Sequence, residues 1–334
     1  MTYLDLFSLG FMQRALIAAL LTGLAAPAIG TFLVQRRLAL LGDGIGHVAV
    51  TGVALGLLTG TSPTWTAVVV AVLGAVLMEV IRERGHTNGD VALALLFYGG
   101  LAGGVLIAGI AREGAATLQE YLFGSLNSIS SQDVWFTAAL TVVVLVVALG
   151  LLPQLFAVAS DQDFARVAGL RVRGYNLLIA VLAAVSITVA MRTVGLLLVS
   201  ALMVVPVATS QQLARSFRAT LLGAMVVGCV ASVGGLLLSA GLSFTVPVAP
   251  GPTIVLLALA MFTATWPLGA WLRRRSRLMA PFPEVAVTPH RSSADHPHAH
   301  GDDCGHPAVP HGDHVDYVHD GHRHAAHGEH YDEH

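Results

Sequence analysis

Lysine is absent. All 18 basic residues of this 334-residue chain are arginine, and that omission removes two chemistries. A G-x-x-x-x-G-K-[ST] loop needs its lysine on the phosphates, so this chain does not hydrolyse ATP in that way. Schiff-base catalysis fails for want of the same amine. Cysteine is nearly missing too: Cys229 lies in an apolar run and Cys304 near the C-terminus, which makes no disulfide framework. No H-E-x-x-H occurs, and the only histidines before residue 281 are His47 and His86, which speaks against an intramembrane metalloprotease. Charge is scarce as well. Only 11% of the residues are charged, against about 25% in soluble domains. With 55% hydrophobic residues and a mean hydropathy of +0.72, composition alone marks a membrane protein.

What is present is a series of apolar runs long enough to cross a bilayer, which takes about 20 residues. They fall near 11–34, 44–60, 64–81, 91–110, 134–156, 175–191, 194–213, 219–240 and 252–272. The first run is too long for a cleavable signal and leads straight into further spans. Arginine orients the set, since cytoplasmic loops are enriched in basic residues. Arg36-Arg37, Arg82/Arg84, Arg166/Arg171/Arg173, Arg215/Arg218 and Arg273–Arg275/Arg277 follow alternate spans, placing the N-terminus outside and the C-terminus inside. Pro206 could split its helix, so eight spans are the alternative to nine. The expected fold is an all-α polytopic transmembrane bundle, residues 1–280, followed by a disordered His-rich tail, residues 281–334.

Two polar stretches break the pattern. "SDQDFARVAGLRVRGYN", 160–176, is the longest polar cytoplasmic stretch within the core. Asp161 or Asp163 can cap a short helix over Phe164–Ala168, which Gly169 ends. Phe164, Val167 and Leu170 would then share an apolar face. The second stretch, "RRLALLGDGIGHVAV" at 36–50, puts Asp43 and His47 four residues apart, on one helix face. An ionised aspartate in a bilayer costs several kcal/mol unless paired or hydrated, so intramembrane ionisable residues are functional candidates by default. A carboxylate and an imidazole suit Zn²⁺ and, less softly, Mn²⁺. On spacing alone an N-cap aspartate with a local histidine partner, or a proton relay, stands beside metal ligation. A dinucleotide loop does not, because G-x-G-x-x-G would need glycine at 47.

Four stretches together resemble the permease subunits of zinc and manganese ABC importers. They are 11–56, "YLFGSLNSIS" at 121–130, "SDQDFARVAGLRV" at 160–172 and "VGLLLVSALMVVPVATSQQLA" at 194–214. The resemblance covers about residues 5–275. It implies a homodimer in the bacterial cytoplasmic membrane, a separate cytoplasmic ABC ATPase subunit and an extracytoplasmic metal-binding protein that delivers the ion. It also implies that Asp163, Phe164, Ala165, Arg166, Val167, Ala168, Gly169 and Leu170 match the segment that couples to the ATPase. Asp43 and His47 match candidate ligands on the metal path, where Zn²⁺ or Mn²⁺ passes as substrate and no tightly bound cofactor is expected. The three alternating glycines Gly42, Gly44 and Gly46 depart from the family's usual small residues and put helical regularity in question. A second copy, waters, Ser200, Met203 or Asp90 would complete the shell. An ion-gradient-coupled transporter is the competing class, but it gives no reason for the 160–172 block.

Other acids read as structural. Glu79 reads as a snorkelled interfacial charge, Asp90 as a helix cap or an exit ligand, and Asp133 as part of a solvated outer loop. The tail holds 13 of the 15 histidines. His296, His298, His300, Cys304, His306, His311, His314, His319, His322 and His324 make it an adaptable metal chelator, favouring Zn²⁺ over Mn²⁺.

Overall fold

The computed structural model describes residues 9–83, 89–111, 121–122, 124, 129–244, 246, 248–279, 291–293, 300–301, 303–311, 314–319, 322–327 and 330–333. Eleven helices lie among them: α1 (Gly10–Gln35), α2 (Leu41–Thr59), α3 (Pro63–Glu83), α4 (Gly89–Ile110), α5 (Ser131–Gly150), α6 (Leu152–Ser160), α7 (Gln162–Val167), α8 (Val172–Val194), α9 (Leu196–Leu213), α10 (Phe217–Leu242) and α11 (Pro250–Met279). Nine of these, all but α6 and α7, are long and apolar enough to cross a membrane. Pro206 does not split α9. The chain divides into two compact units, residues 1–272 and 273–334.

Lipid supplies no hydrogen bonds, so the polar backbone closes on itself in helices, and side-chain size sets how near those helices come. α1 and α2 form the buried centre, while α3, α4, α5 and α11 expose long apolar faces bearing Leu95, Leu106, Trp135, Val146 and Trp266. Small residues hold the centre together. A Cβ at Gly30 would collide with the backbone of Met203 on α9, and one at Gly228 on α10 would collide with Gly23 on α1. Without a hydrophobic force between helices in lipid, such close backbone contact is a main source of association.

α1 ends in a Schellman motif. The Leu38 N–H donates to the Leu33 carbonyl at 2.8 Å and the Arg37 N–H to Val34 at 3.0 Å. Arg37 takes the left-handed position, φ 59°, which usually falls to glycine. The neighbouring Arg36 turns inward. Its guanidinium donates to both Glu79 oxygens, at 3.1 and 3.4 Å, and Arg82 donates to the same carboxylate at 2.6 Å. Burial pulls the Arg36 guanidinium below its ordinary range, and Glu79 works against that shift. Glu79 is therefore no snorkelled interfacial charge: it is fully buried, and two guanidinium groups make that burial tolerable. Asp133 also departs from expectation. It is buried and forms a capping box with Ser130, accepting from that residue's N–H at 2.9 Å and its hydroxyl at 2.7 Å.

The tail differs from the expectation of a segment without regular structure. Its described residues include β1 (Arg291–Ser293), β2 (Ala308–His311), β3 (His314–His319), β4 (His322–His327) and β5 (His330–Glu333), in one antiparallel sheet of order β1-β5-β4-β3-β2. The register pairs His311 with His314, His319 with His322 and His327 with His330. Two residues separate the members of each pair: Gly312-Asp313, Asp320-Gly321 and Gly328-Glu329. That is the sequence signature of two-residue hairpins, and the density of histidine conceals it.

Glu79→Gln leaves Arg36 buried opposite a neutral amide. Breaking a buried pair in this way costs about 3–5 kcal/mol. The expected result is a clearly lowered thermal midpoint in detergent, measured by unfolding of the purified protein, with Glu83→Gln close to wild type.

Candidate functional site

α2 runs unbroken from Leu41 to Thr59, so the alternating glycines do not disturb the helix. They let neighbours in. A Cβ on Gly42 would lie 3.2 Å from the Met203 sulfur, one on Gly46 would collide with Leu196, and one on Gly44 would lie 3.1 Å from Leu93 Cδ1. Gly42 and Gly46 thus receive α9, and Gly44 receives α4. On the far side of the same contact, a Cβ at Gly100 on α4 would press on the His47 and Val48 backbone at 2.7–3.0 Å, and the Thr51 hydroxyl donates to the Gly100 carbonyl at 2.6 Å. The "GGLAGG" stretch at 99–104 divides by face. Gly100 and Gly104 pack on α2, while nothing lies near a Cβ at Gly99.

Asp43 and His47 come together inside this clamp. The cap position of α2 belongs to Leu40, which makes no side-chain capping bond, and Asp43 sits within the first helical turn. The N-cap reading of Asp43 therefore fails, though a carboxylate there still benefits from the helix dipole. His47 Nε2 lies 3.8 Å from Asp43 Oδ1. That is too long for a hydrogen bond and slightly wider than the roughly 3.4 Å between two ligand atoms on a tetrahedral zinc. The His47 side chain is 11% exposed and that of Asp43 30%, so the carboxylate is the wetter partner. Phe97 of α4 presents its ring to His47 edge-on, centroids 4.4 Å apart. The Nδ1 of His47 is buried and has no hydrogen-bond partner among the described residues. A pair of donor atoms facing one gap, with the imidazole held against an aromatic ring, can share a divalent cation or pass a proton.

The suggested completing groups divide. Met203 is buried with its sulfur close to Gly42, next to Asp43 in the chain. The Ser200 hydroxyl is buried and without a hydrogen-bond partner among the described residues. Asp90 lies in the first turn of α4, and its side chain is outside the described residues. Phe97 was not legible as a site residue, because an aromatic in an apolar run carries no signal of what it faces.

The polar segment at 160–172 folds as the sequence implies. The Asp161 carboxylate accepts from the Asp163 and Phe164 N–H groups at 2.9 and 3.0 Å. Gly169, φ 81°, closes a second Schellman motif, with Leu170 N–H on Ala165 and Gly169 N–H on Arg166. The expected apolar face splits. Ala165 and Leu170 pack with Val158 and Val172, whereas Phe164 is 66% and Val167 89% exposed. Asp163 and Arg166 pair with each other at 2.7 Å, Ala168 closes the helix, and Arg82, Arg166, Arg171 and Arg173 line an adjoining cavity.

In the tail, the ligand atoms of His300, Cys304 and His306 lie within 4.8 Å of one another. His314 Nε2 sits 3.3 Å from Asp316 Oδ1, and His324 is buried. His296 and His298 fall outside the described residues; His311, His319 and His322 are strand residues whose side chains are not described.

The nine long apolar helices among the described residues define a polytopic α-helical membrane protein. The chain belongs to the ABC 3 transport family, whose pattern matches residues 8–267. It is 32% identical over 252 residues to the manganese import system permease protein ScaB of Streptococcus parasanguinis, covering 75% of this chain and 88% of that protein. To the high-affinity zinc uptake system membrane protein ZnuB of Haemophilus influenzae it is 29% identical over 255 residues, 75% of this chain and 96% of that one. Among solved structures it is similar to PsaBC from Streptococcus pneumoniae in complex with Fab. There the TM-score is 0.71 at 28% identity, over 82% of this chain and 98% of that chain.

Gly100→Ala and Gly99→Ala form a matched pair one residue apart. The first should cost about 1–3 kcal/mol by forcing α4 off His47; the second should gain up to about 1 kcal/mol in helix propensity. Thermal midpoints of the two variants in the same detergent check this.

Proposed function

We propose that this chain is the membrane permease of an ATP-driven importer of divalent metal ions of the manganese–zinc type, with zinc as its cargo and Asp43 and His47 as its transit site. As a family member it is a permease subunit of the bacterial cytoplasmic membrane and not itself an enzyme; ATP is hydrolysed by a separate subunit. The absence of any lysine fits that division of labour. The observation that carries the ion path is the 3.8 Å approach of a carboxylate and an imidazole in a buried, continuous α2. Two protein ligands hold an ion loosely where four would trap it, which suits conduction. A second copy of the chain or water supplies the remainder of the shell, and an extracytoplasmic binding protein delivers the ion. Imidazole favours zinc over manganese, while the named relatives include importers of both.

The mechanism follows from placement. An arriving cation replaces its waters with the Asp43 carboxylate and the His47 Nε2. Phe97 and the clamped glycines exclude solvent from one side, so the pair acts in a low dielectric where its hold is stronger than in water. Both donors sit on α2, so a change in the packing of α4 and α9 against it would open the wall beside His47, admit water and weaken the hold on the ion. The trigger reaches α2 from the cytoplasmic face, where Phe164 and Val167 of α7 stand exposed beside arginines, as a surface for the ATPase needs them to be.

Asp43→Ala and His47→Ala, assembled with the ATPase in proteoliposomes, should each lower ⁶⁵Zn uptake about tenfold or more with ATPase recruitment intact. Normal uptake in both variants rules out the transit site, and Mn²⁺ competing as well as Zn²⁺ rules out zinc preference. Separately, Phe164→Ala combined with Val167→Asp should abolish co-purification of the ATPase while leaving the thermal midpoint nearly unchanged, since both side chains are exposed.

A further inference from the structure

The tail brings together a separate group of metal-ligating side chains. We infer that His300, Cys304 and His306 form a discrete site for one thiophilic divalent cation, Zn²⁺ by chemistry, with three protein ligands among the described residues. The inference stands apart from the transit pair and does not depend on it.

Local backbone geometry builds the site. The Cys304 N–H donates to the Gly301 carbonyl at 3.0 Å, closing a turn that sets His300 and Cys304 side by side. Gly305, φ 71°, takes the left-handed conformation that a side chain would resist, and it sends His306 back toward the same point. The three ligand atoms then lie within 4.8 Å of one another. His300 Nδ1 is 3.6 Å from Cys304 Sγ. A tetrahedral zinc with Zn–S about 2.3 Å and Zn–N about 2.0–2.1 Å separates its sulfur and nitrogen ligands by roughly 3.6 Å.

The sheet fixes the ligands. The His300 ring stacks on Tyr317 of β3, 5.2 Å between centroids and 5° from parallel, and on the buried His324 of β4 at 5.6 Å. His306 meets the His300 ring edge-on at 5.2 Å. The Val318 N–H donates to the Pro307 carbonyl at 3.0 Å, tying the strand after the site to β3. A ring held between two strands cannot wander as a chelating tail would, and that separates this site from a diffuse histidine sponge.

The donor set selects the metal. One thiolate and two imidazoles suit zinc, cobalt and cuprous copper and are poor for manganese or magnesium, which prefer oxygen. Closed structural zinc sites use four protein ligands, and three converge here among the described residues. Cys304 is the only cysteine of this unit, so its thiolate labels the site spectroscopically.

The test uses the full chain, purified in detergent, stripped of metal and titrated with Co²⁺. Wild type should develop a thiolate-to-cobalt charge-transfer band that saturates at one equivalent and collapses on adding Zn²⁺ but not Mn²⁺. Cys304→Ser should abolish the band, and His300→Ala and His306→Ala should weaken Co²⁺ binding about tenfold or more. Cys229→Ser and the Asp43→Ala/His47→Ala double variant should keep the band, so loss of the transit pair and loss of this site read out separately. No band in the wild type, a band that survives Cys304→Ser, or equal displacement by Mn²⁺ overturns the assignment.

Discussion

The Glu79 carboxylate lies fully buried between the guanidinium groups of Arg36 and Arg82, and the path of the chain into α2 depends on it. Arg36 follows the last residue of α1. Anchored on α3, it fixes where α1 stops and where the Schellman turn through Arg37 sends the backbone. Leu38 then packs inward and α2 begins three residues later, which sets the depth and rotation of Asp43 and His47. An unpaired charge at this depth would be expelled toward water, and the turn would move with it. The ion pair is thus a positional device first. Its contribution to stability is the avoided penalty of leaving either partner alone.

Around that anchored start, small residues decide how close the other helices come. Gly42, Gly44 and Gly46 make notches on α2 that the Met203, Leu93 and Leu196 side chains fill, and Gly100 brings the backbone of α4 against that of α2. Close packing excludes water from the His47 side of the pair, while Asp43 keeps partial access. Solvent therefore reaches the carboxylate more readily than the imidazole. The absence of Cβ atoms on α2 is what admits those side chains, so the seam around the pair is interlocked at three glycines.

Much was legible before any coordinates. Nine apolar runs correspond to nine helices, among the described residues, long enough to cross a membrane, because hydropathy over 20 residues reports on a single-residue property averaged along one element. The helix at 162–167 was legible for a similar reason: its cap Asp161 and its terminator Gly169 act within a few residues of the chain. Glu79 was misread because nothing in its neighbourhood announces Arg36, 43 residues away. Asp133 was misread because a capping box and a solvated loop share the same letters. The strands of the tail were hidden since histidine dominates both the strand positions and the eye, although three two-residue connections at equal spacing were there to be counted.

The sequence by itself determined the class: an apolar, lysine-free chain whose arginines fall at alternate span ends, with one carboxylate and one imidazole a helical turn apart. These are properties of composition and of spacing along one element. Tertiary structure alone decided that Phe97 faces His47, that Phe164 and Val167 point outward while Leu170 points in, and that the His300 ring meets Tyr317 and His324. Each of those depends on which face of one element meets another. Periodicity reveals that a face exists, but the partner it meets is set by the packing of the whole chain.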